Sequence, residues 1–307
     1  MPAKAGLTKQ ADFNQLTARE VDFVTRFTDN WEALQTILGI TRPIKKEAGT
    51  RLVSYKAKMV SDALQGGASV GEGEEIPYTE FGVEPVSYGD VAIEKYAKAV
   101  SIEAVAKYGP EVAVQKTDDQ FLVELQNVVL TRFYTFLKTG SLTFTQTTWQ
   151  KALARAKGYV LEKFAGMRKT VTDVVGFANI NDLYGYLGTA DITIQTAFGL
   201  TYVQNFMGYS TLFLCPDIDI PQGTVIAVPI ENIDMYYVDP SDSAYAQLGL
   251  QYTTQGETNL IGFHAEGDYK HAVGEVFALM GITLWAEYLD GIAVATVGNE
   301  DTTPTGA

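Results

Sequence analysis

The chain has 307 residues, 46% of them hydrophobic, so it is long and apolar enough to bury the core of one large domain or two closely joined ones. Its formal net charge of −14 argues against a protein whose main task is to bind phosphate backbones, because such proteins need an excess of lysine and arginine. The single cysteine, Cys215, excludes an internal disulfide framework and suits synthesis in a reducing cytoplasm. With no apolar segment of membrane-spanning length and no signal-peptide core, we expect a soluble chain without membrane contact.

The first predicted element is a helix from about Ala18 to Leu38. Thr17 and Glu20 form a capping box at its start, and Gly39 follows its last apolar residue. The apolar residues recur at spacings of three and four: Val24, Phe27, Trp31, Leu34 and Leu38. Two interpretations stay open. The helix packs on its own domain, or it is an arm that crosses to an adjacent subunit or to a scaffolding protein.

A two-stranded ribbon is predicted next. Arg51 to Ser61 alternates between a side that carries Lys56 and Lys58 and an apolar side, as a half-exposed strand does. We predict that the return strand is Val91 to Ile102, which is rich in valine, isoleucine, tyrosine and alanine. The tip between them is rich in glycine, has no basic residue and carries four glutamates, Glu72, Glu74, Glu75 and Glu80. A two-stranded hairpin alone is marginally stable in water, so we expect a neighbouring subunit to support it.

The longest amphipathic helix is predicted from Asp118 to Lys138. Asp118 and Asp119 suit the positive N-terminal end of a helix, and Gly140 suits a stop. At 1.5 Å per residue the helix reaches about 30 Å, the span of a small domain. We therefore expect it to form the spine of a domain.

A second helix is predicted after a threonine-rich link, Gly140 to Thr148, with Thr148 as its cap. This helix and the residues after it carry the most basic patch of the chain: Arg155, Lys157, Lys163, Arg168 and Lys169. Such a run is usually a solvated face. The alternative is a contact surface, for example for the acidic tip of a neighbouring subunit.

From Thr170 onward, strand-like segments alternate with turns and with a short helix near Asn181 to Leu187, which predicts an α+β subdomain with a central sheet. The strand-like segments are Thr170 to Ala178, Ala190 to Ile194, Thr211 to Cys215, Thr224 to Val228 and Met235 to Val238. Val273 to Met280 is compatible with a helix or a strand. We predict that this segment and two last strands, Ile282 to Tyr288 and Ile292 to Val297, return to pair near Val100.

No motif predicts catalysis, a cofactor or a metal site. His264 and His271 lack the spacing of a zinc motif, and Cys215 lies in an apolar strand with no histidine near it in sequence. The segment Gly71-Glu72-Gly73 lacks the third glycine of a dinucleotide-binding loop. Four aspartates fit turns at least as well as a weak calcium site: Asp217, Asp219, Asp239 and Asp242. We therefore expect a protein that is not an enzyme.

Five stretches, taken in order, resemble the major capsid protein of tailed bacteriophages, of the Hong Kong 97 phage type. None is a short invariant signature, so the resemblance rests on their order and spacing over most of the chain. The stretches are GITRPIKKEAGTRLVSYKAK (Gly39 to Lys58), GEGEEIPYTEF (Gly71 to Phe81), VVGFANINDLYGYLG (Val174 to Gly188), YSTLFLCPDIDIPQGTVIAVPIENI (Tyr209 to Ile233) and LDGIAVATVG (Leu289 to Gly298).

The resemblance implies an α+β capsid fold. Its parts are an N-terminal arm with a helix (1–44), an extended β-hairpin loop (45–102), a peripheral domain with the spine helix (103–169), an axial domain with the central sheet (170–262) and a return to the peripheral domain with a tail (263–307). It also implies a structural protein that self-assembles, as pentamers and hexamers, into an icosahedral head shell around double-stranded DNA, without sequence-specific DNA binding. In that setting the basic patch could face the packaged genome.

A portal is a further expected partner, and either a separate scaffolding protein exists or assembly needs none. The expected location is the virion, after assembly in the cytoplasm of the host bacterium. Candidate contacts between subunits are Glu72, Glu74, Glu75, Glu80, Lys56, Lys58, Trp31, Arg155 and Lys157. Some relatives join a loop lysine to a neighbouring asparagine by an isopeptide bond. Although Lys56 and Lys58 lie on the loop, no motif identifies a partner, so we do not expect the bond.

Two other functions stay open. The first is an encapsulin-like shell of similar fold that holds enzyme cargo. The second is a soluble binding or enzymatic α+β protein, which predicts a monomer or small oligomer and a pocket with convergent polar groups.

Overall fold

The structure is a computed structural model that describes residues 25–27, 41–60, 71–75, 78–188, 195–197, 200–230, 232–254 and 260–304. Most of the predicted N-terminal helix, including Trp31, lies outside these residues, as does the predicted strand Ala190 to Ile194. The side chains of Lys56 and Lys58 also lie outside what the structure describes, although their backbone belongs to a strand.

The strands are, in chain order, β1 (Thr41–Lys46), β2 (Arg51–Met59), β3 (Phe81–Asp90), β4 (Glu94–Ser101), β5 (Leu142–Gln146), β6 (Val174–Asn179), β7 (Gln195–Ala197), β8 (Leu200–Phe206), β9 (Tyr209–Cys215), β10 (Thr224–Pro229), β11 (Ile233–Val238), β12 (Ile261–Asp268), β13 (Val273–Met280), β14 (Ile282–Ala286) and β15 (Ala293–Val297). The α-helices are α1 (Ile102–Tyr108), α2 (Lys116–Leu137), α3 (Trp149–Gly166), α4 (Ile180–Leu187) and α5 (Ser243–Ala246). This mixture of helix and sheet confirms the α+β class.

A seven-stranded sheet in the order β5-β15-β10-β6-β9-β8-β7 forms the centre of the described chain. Alternate side chains of its inner strands lie on opposite faces. Phe177 and Phe213 join the spine helix α2 in one core cluster, whereas Leu212 and Val225 join α3 in a second cluster. Because both faces are buried, β9 and β10 are almost continuous apolar runs, which is why the sequence predicted them.

Gly176 of β6 indicates how closely the face under α3 is filled. A Cβ atom at this position would lie 2.8 Å from Cδ1 of Leu212 and 2.9 Å from Cδ1 of Tyr209. Tyr209 is fully buried, and its hydroxyl donates a hydrogen bond of 2.6 Å to the carbonyl of Leu153 in α3. The strand therefore needs a residue without a side chain at this point.

The hairpin consists of β2 and β3, so the prediction that Val91 to Ile102 is its return strand is wrong. Within that segment, β4 pairs instead with β13, where Val100 lies opposite Gly274. The true return strand carries Gly82, Pro85 and Gly89, which lower its strand propensity. Proline is tolerated there because a two-stranded ribbon consists of edge strands.

Two further strand predictions need correction. Neither Ile282 to Tyr288 nor Ile292 to Val297 pairs near Val100, because β14 pairs with β11, and β15 lies between β10 and β5. The predicted link Gly140 to Thr148 contains a strand, β5, at the edge of the central sheet. Strand partners so distant in sequence are selected by tertiary packing, which a local pattern does not encode.

The spine helix α2 is tied to β4 by two ion pairs. Asp118 and Asp119 lie in its first turn as predicted, but Asp118 is also buried and pairs with Lys98 of β4. Further along the helix, Arg132 pairs with Glu94 at the start of the same strand. The spine and the sheet β12-β13-β4 are thus joined by charge as well as by apolar contact.

The C-terminal tail covers the outer edge of β5. The Thr302 N–H donates to the Thr145 carbonyl over 2.9 Å, and the Thr145 N–H donates to the Thr302 hydroxyl over 2.7 Å. Asp301 accepts a hydrogen bond of 2.8 Å from the Thr147 N–H and forms an ion pair of 3.0 Å with Lys151 of α3. These groups hold the pKa of Asp301 at about 2, with Lys151 as the main cause.

We expect this tail to detach in acid. Because the pKa of Asp301 in the folded chain lies below its ordinary value of 3.8, the contact is fully present above about pH 4 and is lost as the pH falls through about 2. Asp301→Asn should loosen the tail at neutral pH. The Thr147 amide signal in an NMR titration of the subunit measures both effects, and Glu300→Gln is the neighbouring control. An Asp301→Asn spectrum that matches the parent at Thr147 would contradict the assignment.

Candidate assembly surfaces

One face of the β2–β3 hairpin is apolar and exposed. The strand register places Val53 and Tyr55 of β2 on the same face as Val83 and Phe81 of β3. The side chain of Tyr55 is 72% exposed and that of Val83 is 62% exposed, and Tyr78 before β3 is also exposed. A row of exposed apolar side chains on a slender ribbon is typical of an interaction surface.

The sequence identified only half of this face. The apolar side of β2 was visible from alternation, whereas Phe81 and Val83 were assigned to the tip because the return strand was placed too late. The signal that could have found them is the period of two in Phe81, Val83 and Pro85, which continues the pattern of a strand.

The hairpin contacts the body of the chain at its base. Leu52 and Val91 are buried together with Val238 of β11 in a small apolar cluster. Beside the cluster lies a cavity of about 230 Å³, lined by residues of the hairpin base and by Tyr236 and Trp285. The hairpin is therefore attached at one end, and its apolar face beyond the base is not covered by the described residues.

The four glutamates of the tip are exposed. Glu72, Glu74 and Glu75 lie in a turn in which the Glu74 carboxylate accepts a hydrogen bond of 2.9 Å from the Gly71 N–H, and Glu80 directly precedes β3. The backbones of Lys56 and Lys58 lie opposite Glu84 and Gly82. The described part of the hairpin tip is therefore exposed and negatively charged, and the contact of these glutamates with another subunit stays a prediction.

Internal partners engage part of the predicted basic patch. Lys157 donates to the Gly208 carbonyl, Lys163 pairs with Asp290 over 3.2 Å, and Lys169 interacts with Glu287 and Tyr288. Arg155 is exposed and lies 6.0 Å from the ring centroid of Tyr159. Two residues of this patch are predicted to contact another subunit. Of these, Arg155 is the more accessible, whereas Lys157 stabilises the fold.

The short described part of the N-terminal helix packs on its own chain. Phe27 is fully buried in the cluster that includes the spine helix, and Arg26 forms an ion pair of 2.9 Å with Asp119 at the start of that helix. Residues 25–27 therefore support the interpretation of a helix that packs on its own domain. Trp31 lies outside the described residues, so its role as a contact stays a prediction.

The residues that were considered for metal binding or catalysis are buried in the fold or make local contacts within it. Burial raises the pKa of Cys215 to about 12, so the group is a thiol and not a thiolate at neutral pH. Asp217 accepts a hydrogen bond of 2.9 Å from the Gln222 N–H within a turn. His271 interacts with Asp268, and His264 Nε2 lies 3.7 Å from Glu266.

Two other aspartates also serve the local structure. Asp239 pairs with Lys45, and Asp242 caps α5. Across the described ranges, no three His, Cys, Asp or Glu residues converge in a way that could hold a metal ion. The helices within those ranges include none that is long and apolar enough to cross a membrane.

No protein-family model and no curated protein matches the sequence. Among solved structures, the chain is similar to one in the mature capsid of bacteriophage PhiM1, with 7% identity and a TM-score of 0.53 over 85% of this chain and 86% of that one. It is similar to a chain in the capsid of the cyanophage P-SCSP1u, with 9% identity, a TM-score of 0.53, and coverage of 86% and 88%. A chain from Mycobacterium phage Patience matches with 11% identity, a TM-score of 0.51, and coverage of 97% and 94%. The chain therefore has the capsid fold of tailed bacteriophages, of the Hong Kong 97 type.

Proposed function

We propose that this chain is the structural subunit of a tailed-phage head. Many copies close into an icosahedral shell of pentamers and hexamers around double-stranded DNA, in the virion. The observation that carries the proposal is the exposed apolar face of the β2–β3 hairpin in a chain with a capsid fold. A single chain leaves this face in water, whereas a ring of identical copies can cover it by a heterologous contact.

The negative charge of the chain supports a container and not a reader of nucleic acid. With a net charge of −14, the subunit has no overall attraction for phosphate backbones. A genome that did not bind the wall tightly could be packed and released. We propose that the DNA is enclosed without sequence-specific contacts, that a portal joins the shell, and that assembly takes place in the host cytoplasm.

Charged contacts are proposed to guide the assembly. The acidic tip of one hairpin would lie near positive groups of a neighbour, with Arg155 as the accessible candidate on α3 and with Lys56 and Lys58 on the hairpin itself. Each exposed pair contributes little, but a subunit held by many contacts at once gains from their sum.

Removal of the four tip charges should weaken assembly. In the variant Glu72→Gln/Glu74→Gln/Glu75→Gln/Glu80→Gln, the subunit concentration needed for shell formation should rise about tenfold at low salt, because four exposed pairs of about 0.4 kcal/mol each sum to about 1.5 kcal/mol. Light scattering across a salt series measures this change, and the variant should depend less on salt than the parent.

The matched control removes the same charge elsewhere, from four exposed glutamates: Glu103, Glu111, Glu162 and Glu300. The control should form shells at the same subunit concentration as the parent or at a slightly lower one. Its four substitutions lower only the net electrostatic repulsion between subunits. If both variants need the same subunit concentration for shell formation, the tip makes no specific contact with a neighbouring subunit.

The contents of the particles test the function. Shells isolated from the cells that make the protein, then treated with nuclease from outside and opened, should release double-stranded DNA. Shells that instead release a folded enzyme would favour the encapsulin-like alternative and overturn the proposal of a phage head.

A further inference from the structure

Strand β1 is attached to the body in an unusual way. It lies at the edge of the sheet β1-β11-β14, parallel to β11, with Thr41 opposite Ile233 and Lys46 opposite Val238. None of its six side chains is buried, whereas five of the six side chains of β11 are buried. Apolar burial therefore contributes little to holding β1 in place, and its backbone ladder needs another source of stability.

Ion pairs of Arg42 and Lys45 supply that stability. The Arg42 Nε lies 2.9 Å from Asp234 Oδ1, and the Lys45 Nζ lies 2.6 Å from Asp239 Oδ2. The carboxylate side chains are 5% and 9% exposed, while the two cationic side chains are about half exposed. Burial raises the pKa of Asp234, and the Arg42 guanidinium opposes that shift.

The position of β1 affects the hairpin directly. A turn with Gly49 at a φ of 75° leads from β1 into β2, and the Gly49 N–H donates to the Val91 carbonyl over 2.9 Å. The cavity of about 230 Å³ lies at this junction, between Lys46, the start of β2, Tyr236 and Trp285. The base of the hairpin thus has room to move if β1 leaves β11.

We propose that β1 is an electrostatic latch: the ion pairs of Arg42 with Asp234 of β11 and of Lys45 with Asp239, which directly follows β11, fix the base of the hairpin. Release of β1 lets the hairpin change its angle while the core stays folded. The latch sets the direction in which the apolar face of the hairpin points. This device is a property of the single chain and does not depend on the proposed shell.

Hydrogen exchange of the full chain tests the latch. In Arg42→Gln/Lys45→Gln, amide exchange in the peptide that covers β1 should become at least about tenfold faster, because two buried carboxylates lose their cations. Exchange in the middle of α2 should not change. The control, Lys95→Gln/Lys116→Gln, removes two exposed cations from β4 and α2 and should leave β1 protected. Unchanged β1 exchange in the first variant, or acceleration of β1 and α2 together, would overturn the proposal.

Comparison of a single and a double variant assigns the effect to charge. Arg42→Gln/Asp234→Asn removes both partners of one pair and should accelerate β1 exchange less than Arg42→Gln alone, because no buried charge is left without its cation. A larger effect in the double variant would contradict a charge pair.

The distance between two spin labels measures the movement of the hairpin. Spin labels at Glu84→Cys on β3 and Glu162→Cys on α3 report the distance between the hairpin and the body, and the native Cys215 is buried and so does not react. The distance distribution should broaden in Arg42→Gln/Lys45→Gln. A distribution identical to that of the parent would show that β1 does not control the hairpin.

Discussion

Replacement of Tyr55 and Val83 by aspartate should abolish shell formation and leave the subunit folded. Both side chains lie on the apolar face of the hairpin and are mostly exposed in the single chain, so their substitution should change the free energy of unfolding by at most about 0.5 kcal/mol. In a shell the two carboxylates would be buried against a neighbour without partners, at a cost of several kcal/mol per contact. The concentration needed for assembly should therefore rise by at least about 100-fold.

Adjacent positions on the two faces of β2 provide the control. Tyr55→Asp alone should impair assembly strongly, whereas Ser54→Asp, one residue away and on the opposite face, should impair it far less. Sedimentation velocity measures assembly, and circular dichroism measures the fold. Equal effects of the two single variants would mean that the apolar face is not the contact.

Lys98→Ala should destabilise the subunit by about 3 kcal/mol. Lys98 and Asp118 are both nearly buried, so the substitution leaves the Asp118 carboxylate without its cation between β4 and the spine helix. Lys98 also donates to the Val114 carbonyl over 3.3 Å, and that hydrogen bond is lost as well. Chemical denaturation of the unassembled subunit measures the change in the free energy of unfolding.

Two further variants separate the charge from the packing. Lys95→Ala removes an exposed lysine from the same strand and should cost less than about 0.5 kcal/mol. Lys98→Met/Asp118→Leu removes both charges and should be close to the parent in stability, because an apolar pair avoids the cost of desolvation. A loss below about 1 kcal/mol in Lys98→Ala would mean that the pair does not join the strand to the spine.

The sequence predicted the elements along which burial repeats in a regular pattern. The spine helix and α3 present apolar residues at spacings of three and four toward the sheet, so their periodicity was clear. Thr148 caps α3 as predicted and accepts a hydrogen bond from the Lys151 N–H. β9 and β10 were recognised as strands because both faces of the central sheet are covered.

The sequence did not predict which strands pair. β4 has a better strand composition than β3, yet β3 is the return strand of the hairpin and β4 pairs with β13, far along the chain. The ion pair between Lys98 and Asp118 was missed for the same reason. Asp118 was visible as a helix-terminal carboxylate, but its partner Lys98 became evident only when β4 was placed against the spine.

The candidate contact surface was predicted in part. The negative tip follows from composition alone, because four glutamates without a nearby cation have to remain in water. The apolar face needs the register between β2 and β3, which places Val83 and Phe81 on the same face of the ribbon as Tyr55. Register is a property of two strands together, and this pairing was assigned to the wrong segment.

Sedimentation velocity of the purified chain over a wide concentration range, with electron microscopy of the fractions, tests the central claim most directly. We expect a sharp transition from slowly sedimenting subunits to closed, hollow particles of uniform size. A chain that remains a monomer or small oligomer at every concentration, with the hairpin of the single chain protected from proteases, would contradict the account.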